Sequence, residues 1–506
     1  MLSLKIKNIF LFLIPTNMKL DIKQIPRQRL IALCILFGLF IYALIILVLS
    51  DGSYDTGDGV THYLISRYSW KHPLFLLDEW GKPLFTMISS PFSQFGMKGI
   101  EFFNILCSLT ASYLAYRIAE KLNIPFPYLA IVLTFSAPVF FGVIYSGLTE
   151  PLFALMVIWS VWLVMNEKYY LSAIVFSFFP FVRADYIYLF PVFTFYYVLK
   201  KKYLANFLLP VGTIIITLLG YFHYRNLHWL IDQNPYSIGT QAYGTLKGDM
   251  FSYIGNGLEI TGKAFEILIA IGLLWYAGGE YFKKYSRALS EADYHLEEIM
   301  LIFGGFLGIL LGQTLVWATG ICQTLGPTRY MVPLIPLASI IALRGLQLVT
   351  ILLDKIKMHW LNGIIAIGFG VAVLYAPYTL WYKIPYRLGA EDAVIKKAAD
   401  WLKQSPDAGK KVFYIAPYIT VALDIDPNDT SKNGMFFNMD PQRPDLNMPQ
   451  GSVMMWDSHY GPNEGRIKLD TLLKNPNLVL LKKFDPDEKF TVIGGLDYGI
   501  WVFQRK

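Results

Sequence analysis

Residues 30–49 read LIALCILFGLFIYALIILVL, and residues 54–63, which follow almost at once, read YDTGDGVTHY. An apolar run of about twenty residues matches the hydrocarbon thickness of a bilayer, so the first stretch predicts a membrane-spanning helix. The second stretch places two aspartates and a histidine at the membrane edge, where charged side chains are costly unless they have a use. Together the two stretches predict a membrane protein with a chemical site at one surface.

The composition of the whole chain agrees with this interpretation. The 506 residues are 55% hydrophobic and only 16% charged, and the mean hydropathy is +0.42, values that soluble proteins of this size rarely show. The net charge of +7 is spread over short loops, which argues against a nucleic-acid partner. The three cysteines form no framework that would define a redox compartment.

Apolar runs of membrane length recur along the chain and predict about eleven spans, hence an α-helical polytopic membrane protein. Several runs between residues 152 and 199 are short or interrupted by proline, and residues 179–185 either cap a full span or dip into the membrane. The runs lie at Leu30–Leu49, Ile100–Tyr116, Phe126–Tyr145, Leu152–Met165, Tyr170–Val182, Ile187–Leu199, Leu204–Tyr221, Phe265–Gly279, Ile299–Ala318, Met331–Leu348 and Leu361–Leu380.

The placement of lysine and arginine predicts the orientation in a cell membrane. By the positive-inside rule the lysine-rich loops are cytoplasmic, so the N-terminus is cytoplasmic and an odd number of spans puts the C-terminal tail outside. The basic residues of the alternate loops are Lys23, Arg27, Arg29, Arg117, Lys121, Lys168, Lys200, Lys201, Lys202, Lys283, Lys284, Arg287, Lys355 and Lys357. The other loops carry the polar residues of interest, so a single outward-facing site is expected.

Three regions follow from these patterns: a cytoplasmic segment at 1–29, a membrane domain at 30–380 with a first outer loop at 50–99, and a small extracytoplasmic α/β domain at 381–506. The start of the chain is open, with an interfacial helix or a working start at Met18 as alternatives. In the tail the pattern predicts helices at Ala390–Gln404 and around Thr471–Leu473, and strands at Lys411–Ala416, Ser452–Trp456, Leu478–Phe484 and Tyr498–Gln504.

The first outer loop resembles that of the C superfamily of membrane glycosyltransferases (GT-C). In the branch of the protein O-mannosyltransferases and the lipid A aminoarabinose transferases, an acidic pair follows the first membrane helix, and a Lys-Pro-Pro-Leu element comes about twenty-five residues later. Here Asp58-Gly59 stands at the acidic pair and Lys82-Pro83-Leu84 at the lysine element. One acid and one proline of the family pattern are therefore replaced or missing.

This resemblance implies a GT-C fold and an inverting glycosyltransferase. The donor would be a polyprenyl-phosphate sugar, and the expected sugar is a hexose such as mannose. The acceptor would be a saccharide, lipid or protein on the outer side. The protein itself would contact membrane lipid. No cofactor is implied with certainty, and a divalent cation stays open. The alternative from a different class is a polytopic transporter or a flippase of a lipid-linked saccharide.

Physical chemistry assigns roles to residues of this loop and its outer neighbours. A hydroxyl acceptor needs a carboxylate to take its proton, for which Asp58 is the first candidate and Asp55 the second. The leaving lipid phosphate needs cations in a water-poor site, for which Lys82, Arg329 and Arg183 are the candidates. The plain alternatives are an Asp-Gly turn for the acids and mutual neutralisation of Arg183 by a nearby carboxylate.

A second set of polar residues is expected to bind substrate. Its members carry carboxylate, imidazole or phenol groups on the outer side of the membrane, and each has a structural alternative such as a water-exposed histidine, an interfacial helix end, a helix cap or a mobile loop. The set is His62, Asp78, Glu79, Glu150, Asp185 and Tyr243.

Overall fold

The computed structural model describes residues 27–233, 247–278, 295–321, 325–380, 383–435 and 439–506. Of the predicted N-terminal segment 1–29, only the last three residues are described. Four other residues named above lie outside the described ranges: Tyr243, Lys283, Lys284 and Arg287. The helices of the membrane portion are α1 Arg27–Leu49, α2 Asp58–Tyr68, α3 Pro83–Ser93, α4 Met97–Lys121, α5 Leu129–Phe135, α6 Pro138–Val143, α7 Glu150–Met165, α8 Tyr169–Ser177, α9 Tyr186–Leu199, α10 Tyr203–Leu208, α11 Val211–Tyr224, α12 Trp229–Asp232, α13 Ser252–Gly255, α14 Gly257–Ile260, α15 Lys263–Ala277, α16 His295–Glu297, α17 Gly304–Thr319, α18 Ile335–Lys355 and α19 Leu361–Tyr375.

Short segments of other helix types join these elements. 3₁₀ helices occur at Pro73–Leu77, Phe179–Phe181, Thr328–Leu334 and Ala376–Thr379. A π-helical turn at Glu298–Phe303 leads into α17. Since 3₁₀ and π turns re-aim the side chains that follow them, they matter for where polar groups point.

Among the described residues, five helical segments are long and apolar enough to cross a membrane. They coincide with five of the predicted runs and lie at Arg27–Leu49, Tyr203–Tyr224, Glu298–Thr319, Thr328–Lys355 and Leu361–Thr379. Three shorter apolar helices, Glu150–Met165, Tyr169–Phe181 and Tyr186–Leu199, match the runs that sequence analysis found short. The run predicted at Phe126–Tyr145 is two helices, because Pro138 cannot continue α5 and begins α6 instead.

Close helix packing in the membrane portion depends on small residues. A Cβ on Gly272 of α15 would lie 2.0 Å from the carbonyl oxygen of Ile341, and one on Gly345 of α18 would lie 2.2 Å from that of Leu268. Glycine at both positions lets the two backbones touch, as is common where membrane helices cross closely. The result is a nearly fully buried α18 at the centre of the helical portion.

The C-terminal region is a mixed α/β layer structure. In the described part of the chain its sheet has the order β2-β1-β3-β5-β4, with β2 and β3 parallel to β1, and with β5 antiparallel to β3 and β4. The strands are β1 Val412–Tyr414, β2 Asn433–Met435, β3 Val453–Asp457, β4 Leu478–Phe484 and β5 Ile500–Arg505, and the helices are α20 Ala390–Gln404, α21 Pro417–Leu423, α22 Tyr460–Asn463 and α23 Leu469–Leu473.

Both faces of this sheet are covered. Val453 and Met455 pack with the apolar face of α20, whereas Met454 and Trp456 point to the other side and pack near α23. The predicted helix at Ala390–Gln404 is confirmed, and the four predicted strands are confirmed within two residues at each end. The short strand β2 was not predicted, because its Asn-Gly-Met sequence lacks an alternating apolar pattern.

Candidate functional site

The aspartate-bearing segment after α1 is held against the membrane helices by backbone contacts. Tyr54 donates its N–H to the carbonyl oxygen of Tyr145 over 2.8 Å. A Cβ on Gly147 would lie 2.1 Å from the carbonyl oxygen of Gly59, so only glycine permits this approach. The Gly59 N–H in turn donates to Asp55 Oδ1 over 2.7 Å, which fixes the first aspartate beside the N-terminus of α2.

Arg329 joins this segment to the second half of the chain. Its Nη1 donates to Asp55 Oδ2 and its Nη2 to Asp58 Oδ2, each over 2.5 Å, and its Nε lies 3.7 Å from Glu150 Oε1. The arginine is presented by the 3₁₀ helix that precedes α18, and its side chain is 15% exposed. One guanidinium therefore compensates two neighbouring carboxylates of the first loop.

A second arginine extends the same set of contacts into the membrane portion. Arg183 Nη1 lies 2.6 Å from Glu150 Oε1, and Arg183 Nε donates to Asp185 Oδ2 over 2.5 Å. Its guanidinium also lies over the Tyr330 ring, 5.1 Å from the centroid. Glu150 is the first residue of α7, after the N-cap residue Thr149, at a helix end that favours a carboxylate. It also pairs with the Arg183 guanidinium.

These contacts form one continuous set of charges, which we call the ion-pair chain. Its order is Asp55 and Asp58, Arg329, Glu150, Arg183, Asp185. The Glu150 side chain is 2% exposed, whereas that of Asp58 is 42% exposed. The accessible end of the ion-pair chain is therefore Asp58, whose Oδ1 accepts no hydrogen bond from the described residues.

Two polar atoms of the ion-pair chain are buried without a hydrogen-bond partner in the described part of the protein: Arg329 Nε, a donor, and Glu150 Oε2, an acceptor. Buried polar groups are rarely left unpaired, so each such atom needs an explanation. A donor and an acceptor side by side suit a polar ligand that supplies both kinds of group.

Lys82 and His62 lie next to this cluster. Burial and the nearby Arg183 lower the pKa of Lys82 to about 8. Burial also lowers the pKa of His62 to about 3, in the fields of Asp58 and Lys82, so its imidazole is neutral at physiological pH. His62 is 8% exposed, contacts Phe85 edge-on, and its Nδ1 has no hydrogen-bond partner among the described residues. It is not the water-facing histidine of the plain alternative.

Asp78 and Glu79 lie in the turn before Lys82. Asp78 Oδ1 accepts the N–H of Gly81 over 2.6 Å, so this carboxylate shapes the turn. Burial raises the pKa of Glu79 to about 7, against the opposing effect of Lys82. Neither acid contacts the ion-pair chain directly through a hydrogen bond that we find among the described residues.

The structure thus brings six of the residues predicted from sequence into one set of direct contacts, the ion-pair chain. Lys82 and His62 lie alongside it, and Tyr243 lies outside the described residues. Sequence analysis missed four neighbours. Thr149 Oγ1 accepts a hydrogen bond from Arg183 Nη1 over 3.3 Å, Gln313 donates to Asp185 over 2.8 Å, Thr328 donates to Glu259 over 2.7 Å, and the Tyr330 ring faces the Arg183 guanidinium. Gln313 carried a usable signal, a polar residue inside an apolar membrane-length run.

No group of three or more His, Cys, Asp or Glu side chains is arranged to hold a metal ion in the parts of the chain that the structure describes. Within the ion-pair chain, arginines pair with one carboxylate oxygen each of Asp55, Asp58 and Glu150.

Two other polar features lie away from this cluster. A cavity of 420 Å³ opens at the far end of α2, between Arg67 and the C-terminal domain. Deep among the membrane helices, Arg344 forms a two-point ion pair with Glu298, 2.7 Å at each contact. We take the ion-pair chain as the site, because it joins an accessible carboxylate, Asp58, to two arginines.

No protein-family model matches the sequence, and no curated protein matches it. Solved structures do match. The crystal structure of ArnT from Cupriavidus metallidurans bound to undecaprenyl phosphate has a TM-score of 0.57 and 11% sequence identity, with 92% of this chain and 97% of that chain covered. The apo state of the same protein gives a TM-score of 0.56 over the same shares.

At 11% identity this similarity establishes the fold. The chain has the GT-C fold of ArnT, with many membrane helices and a small C-terminal sheet domain, as the resemblance of the first loop predicted. With its apolar helices it is a multi-pass membrane protein.

Proposed function

We propose that this protein is a glycosyltransferase that moves a sugar from a polyprenyl-phosphate donor to an acceptor on the outer side of the membrane, with inversion at the anomeric carbon. The observation that carries the proposal is the ion-pair chain, in which an accessible aspartate touches an arginine. The fold supports it, since the ArnT structure holds undecaprenyl phosphate.

Asp58 is the proposed general base. Its carboxylate is the more accessible of the two aspartates and keeps Oδ1 open, so an acceptor hydroxyl can reach it. Asp55 uses one oxygen for the Gly59 N–H and the other for Arg329, which suits a residue that orients the site. Arg329 compensates the like charges of the two carboxylates and holds them in place.

Lys82, Arg329 and Arg183 are proposed to contact the donor phosphate. A guanidinium has five N–H donors. Arg329 uses two of them in hydrogen bonds to aspartate, and its buried Nε, 3.7 Å from Glu150 Oε1, makes no hydrogen bond to the described residues. A phosphate oxygen placed there would accept a charge-assisted hydrogen bond, which is about twice as strong as a neutral one. Lys82 would add charge from the first loop as the leaving group develops.

The sugar itself is proposed to lie against the acidic side of the cluster. Glu150 Oε2 is a buried acceptor without a hydrogen-bond partner in the described part of the chain, and it suits a sugar hydroxyl. His62 Nδ1, on a neutral ring, is a second buried polar atom without a hydrogen-bond partner among the described residues. Asp185, Glu79, Asp78 and Tyr243 complete the proposed substrate-binding set, with Asp78 acting through the turn that presents Lys82.

The proposal is tested by transfer in lipid vesicles. The reconstituted protein would be given radiolabelled polyprenyl-phosphate mannose, glucose and arabinose-type donors in turn, with a panel of saccharide, lipid and protein acceptors. Label transferred from one donor identifies the sugar, for which we propose a hexose such as mannose. Movement of intact donor across the bilayer without transfer would replace the proposal with the flippase alternative.

The pH dependence of donor use tests Lys82. Because its pKa is lowered to about 8, the side chain is charged below that pH and neutral above it. We therefore expect kcat/KM for the donor to fall as the pH rises through about 8, and Lys82→Met to lower it at least about tenfold at pH 7. Lys82→Arg stays charged and should remove the decline. The same alkaline decline in Lys82→Arg would show that another group causes it.

We also propose the orientation and regions predicted from sequence: a cytoplasmic N-terminal segment at 1–29, a membrane domain at 30–380, and an outer domain at 381–506 in the cell (inner) membrane. Single cysteines are introduced after the native cysteines are replaced by serine. At Lys71 and Lys403, both exposed, they should react with a membrane-impermeant thiol reagent on intact spheroplasts, and at the exposed Lys201 they should not. Labelling at Lys201 alone would reverse the orientation.

A further inference from the structure

The C-terminal domain contacts the first outer loop just before its aspartates, at residues 50–52, and we call this contact the first grip. Tyr386 accepts the N–H groups of Asp51 and Gly52 over 2.9 and 3.2 Å, and donates its own N–H to Ser50 Oγ over 3.0 Å. A Cβ on Gly52 would lie 2.2 Å from the carbonyl oxygen of Arg387, so the two backbones are in contact. The chain entering the C-terminal domain is therefore paired with the chain leaving α1.

A second grip lies just after α2. Asp426 of the C-terminal domain accepts hydrogen bonds from Lys71 Nζ over 2.6 Å and faces His72 Nε2 at 3.0 Å. Its side chain is only 9% exposed. Beside it, Tyr68 donates its hydroxyl to the carbonyl oxygen of Ile425 over 3.3 Å. The end of α2 is thus attached to the loop that follows α21.

Between these grips the C-terminal domain also lies against the aspartate segment. A Cβ on Gly57 would lie 3.3 Å from the hydroxyl oxygen of Tyr460. The Asp392 carboxylate is 4% exposed and faces the side chain of Thr56, which is the residue after Asp55. At the start of α2 the segment is held by the Gly59 N–H to Asp55 bond, and Gly57 provides no side-chain cap.

We infer that the C-terminal domain is part of the catalytic unit: it clamps the segment Ser50–His72 at both ends, and Asp426 is a positioning residue for Asp55 and Asp58. The segment lies between the membrane helices on one side and the C-terminal domain on the other. Because its two aspartates must meet Arg329 from a distant part of the chain, loss of one grip frees the segment to rotate away. This inference rests on the proposed function for its kinetic consequence only.

Asp426 is the best single position for a test, because several of its bonds are to the first loop and little solvent reaches it. It also accepts the N–H of Asn428 over 3.0 Å in a local turn. Asp429 offers a matched control, because it makes the same kind of turn with Ser431 N–H over 3.0 Å and has no hydrogen bond to the first loop that we find among the described residues.

Two measurements are made on three variants of the full-length protein in lipid. The two clamp variants are Asp426→Ala and Gly52→Leu, whose side chain cannot fit against the Arg387 carbonyl. Asp429→Ala is the control. Hydrogen exchange of the peptide covering residues 54–61 reports the Gly59 N–H that is bonded to Asp55. We expect exchange there to rise about tenfold in the two clamp variants and to stay unchanged in Asp429→Ala. Exchange needs no substrate, so this arm decides even if no donor is ever turned over.

In the transfer assay the clamp variants should lose about tenfold in kcat with little change in the donor KM, because binding groups outside the segment are intact. Unchanged exchange at 54–61 in both clamp variants would overturn the inference, and so would an equal rise in Asp429→Ala. If one clamp variant fails to fold, the other still decides. If exchange at 54–61 rises in the clamp variants but the wild-type protein transfers no sugar, the result supports the clamp and contradicts the proposed function.

Discussion

Asp58→Asn is expected to lower the rate of sugar transfer by about a hundredfold to ten-thousandfold, the usual effect of removing a positioned base. Asparagine keeps the size of the side chain and an oxygen that can accept from Arg329 Nη2. What it lacks is a basic carboxylate at the open Oδ1 position. The loss should therefore appear in kcat, with the donor KM nearly unchanged, in single-turnover and steady-state transfer assays.

Asp55→Asn is the matched control for this experiment, because Asp55 has the same chemistry three residues earlier in the chain and both of its oxygens are already bonded. We expect a smaller loss there, through weaker orientation of the loop. Full activity in Asp58→Asn together with a thousandfold loss in Asp55→Asn would transfer the role of base to Asp55. Full activity in both variants would contradict the whole assignment.

Arg329→Met is expected to have the second large effect, on folding as well as on activity. Methionine removes the cation that lies between Asp55, Asp58 and Glu150 and leaves their charges facing one another. Breaking a buried pair costs roughly 3–5 kcal/mol, and the lower end applies here because Asp58 is 42% exposed. The thermal midpoint in detergent or lipid should fall, and donor binding should fall with it.

A double variant separates the two causes of that loss. In Arg329→Met/Asp55→Asn one of the uncompensated carboxylates is gone, so part of the lost stability should return, whereas donor binding should not. A return of donor binding along with stability would mean that Arg329 acts only as a structural counter-ion. An Arg329→Met protein with wild-type stability and wild-type donor affinity would contradict both roles.

The sequence by itself determined the features that depend on local composition. Apolar runs such as Leu30–Leu49 predict membrane helices because burial in lipid is set by the residues of the run itself. The helix at Ala390–Gln404 follows from its amphipathic spacing for the same reason. The loop with Asp55, Asp58 and Lys82 stood out because charge at a membrane edge is costly, and this is a local property too.

Only the tertiary structure decided which charges meet. Asp55 and Arg329 are 274 residues apart, and the chain offers other cations to that aspartate. The choice depends on the packing of Gly59 on Gly147 and on the 3₁₀ turn that presents Arg329. Such contacts are sums over many weak packing terms along the whole chain, so no local pattern encodes them.

The same reason applies to what sequence analysis missed. The break at Pro138 was visible as a proline, yet whether it kinks one span or separates two helices depends on the neighbours that pair the freed backbone groups. Asp426 is one of several aspartates in a polar loop, and its contact with Lys71 and His72 exists because the C-terminal domain packs on the first outer loop. The sequence supplied the chemical groups of the site, and the folded chain supplied their distances, since direct hydrogen bonds form only within about 3 Å.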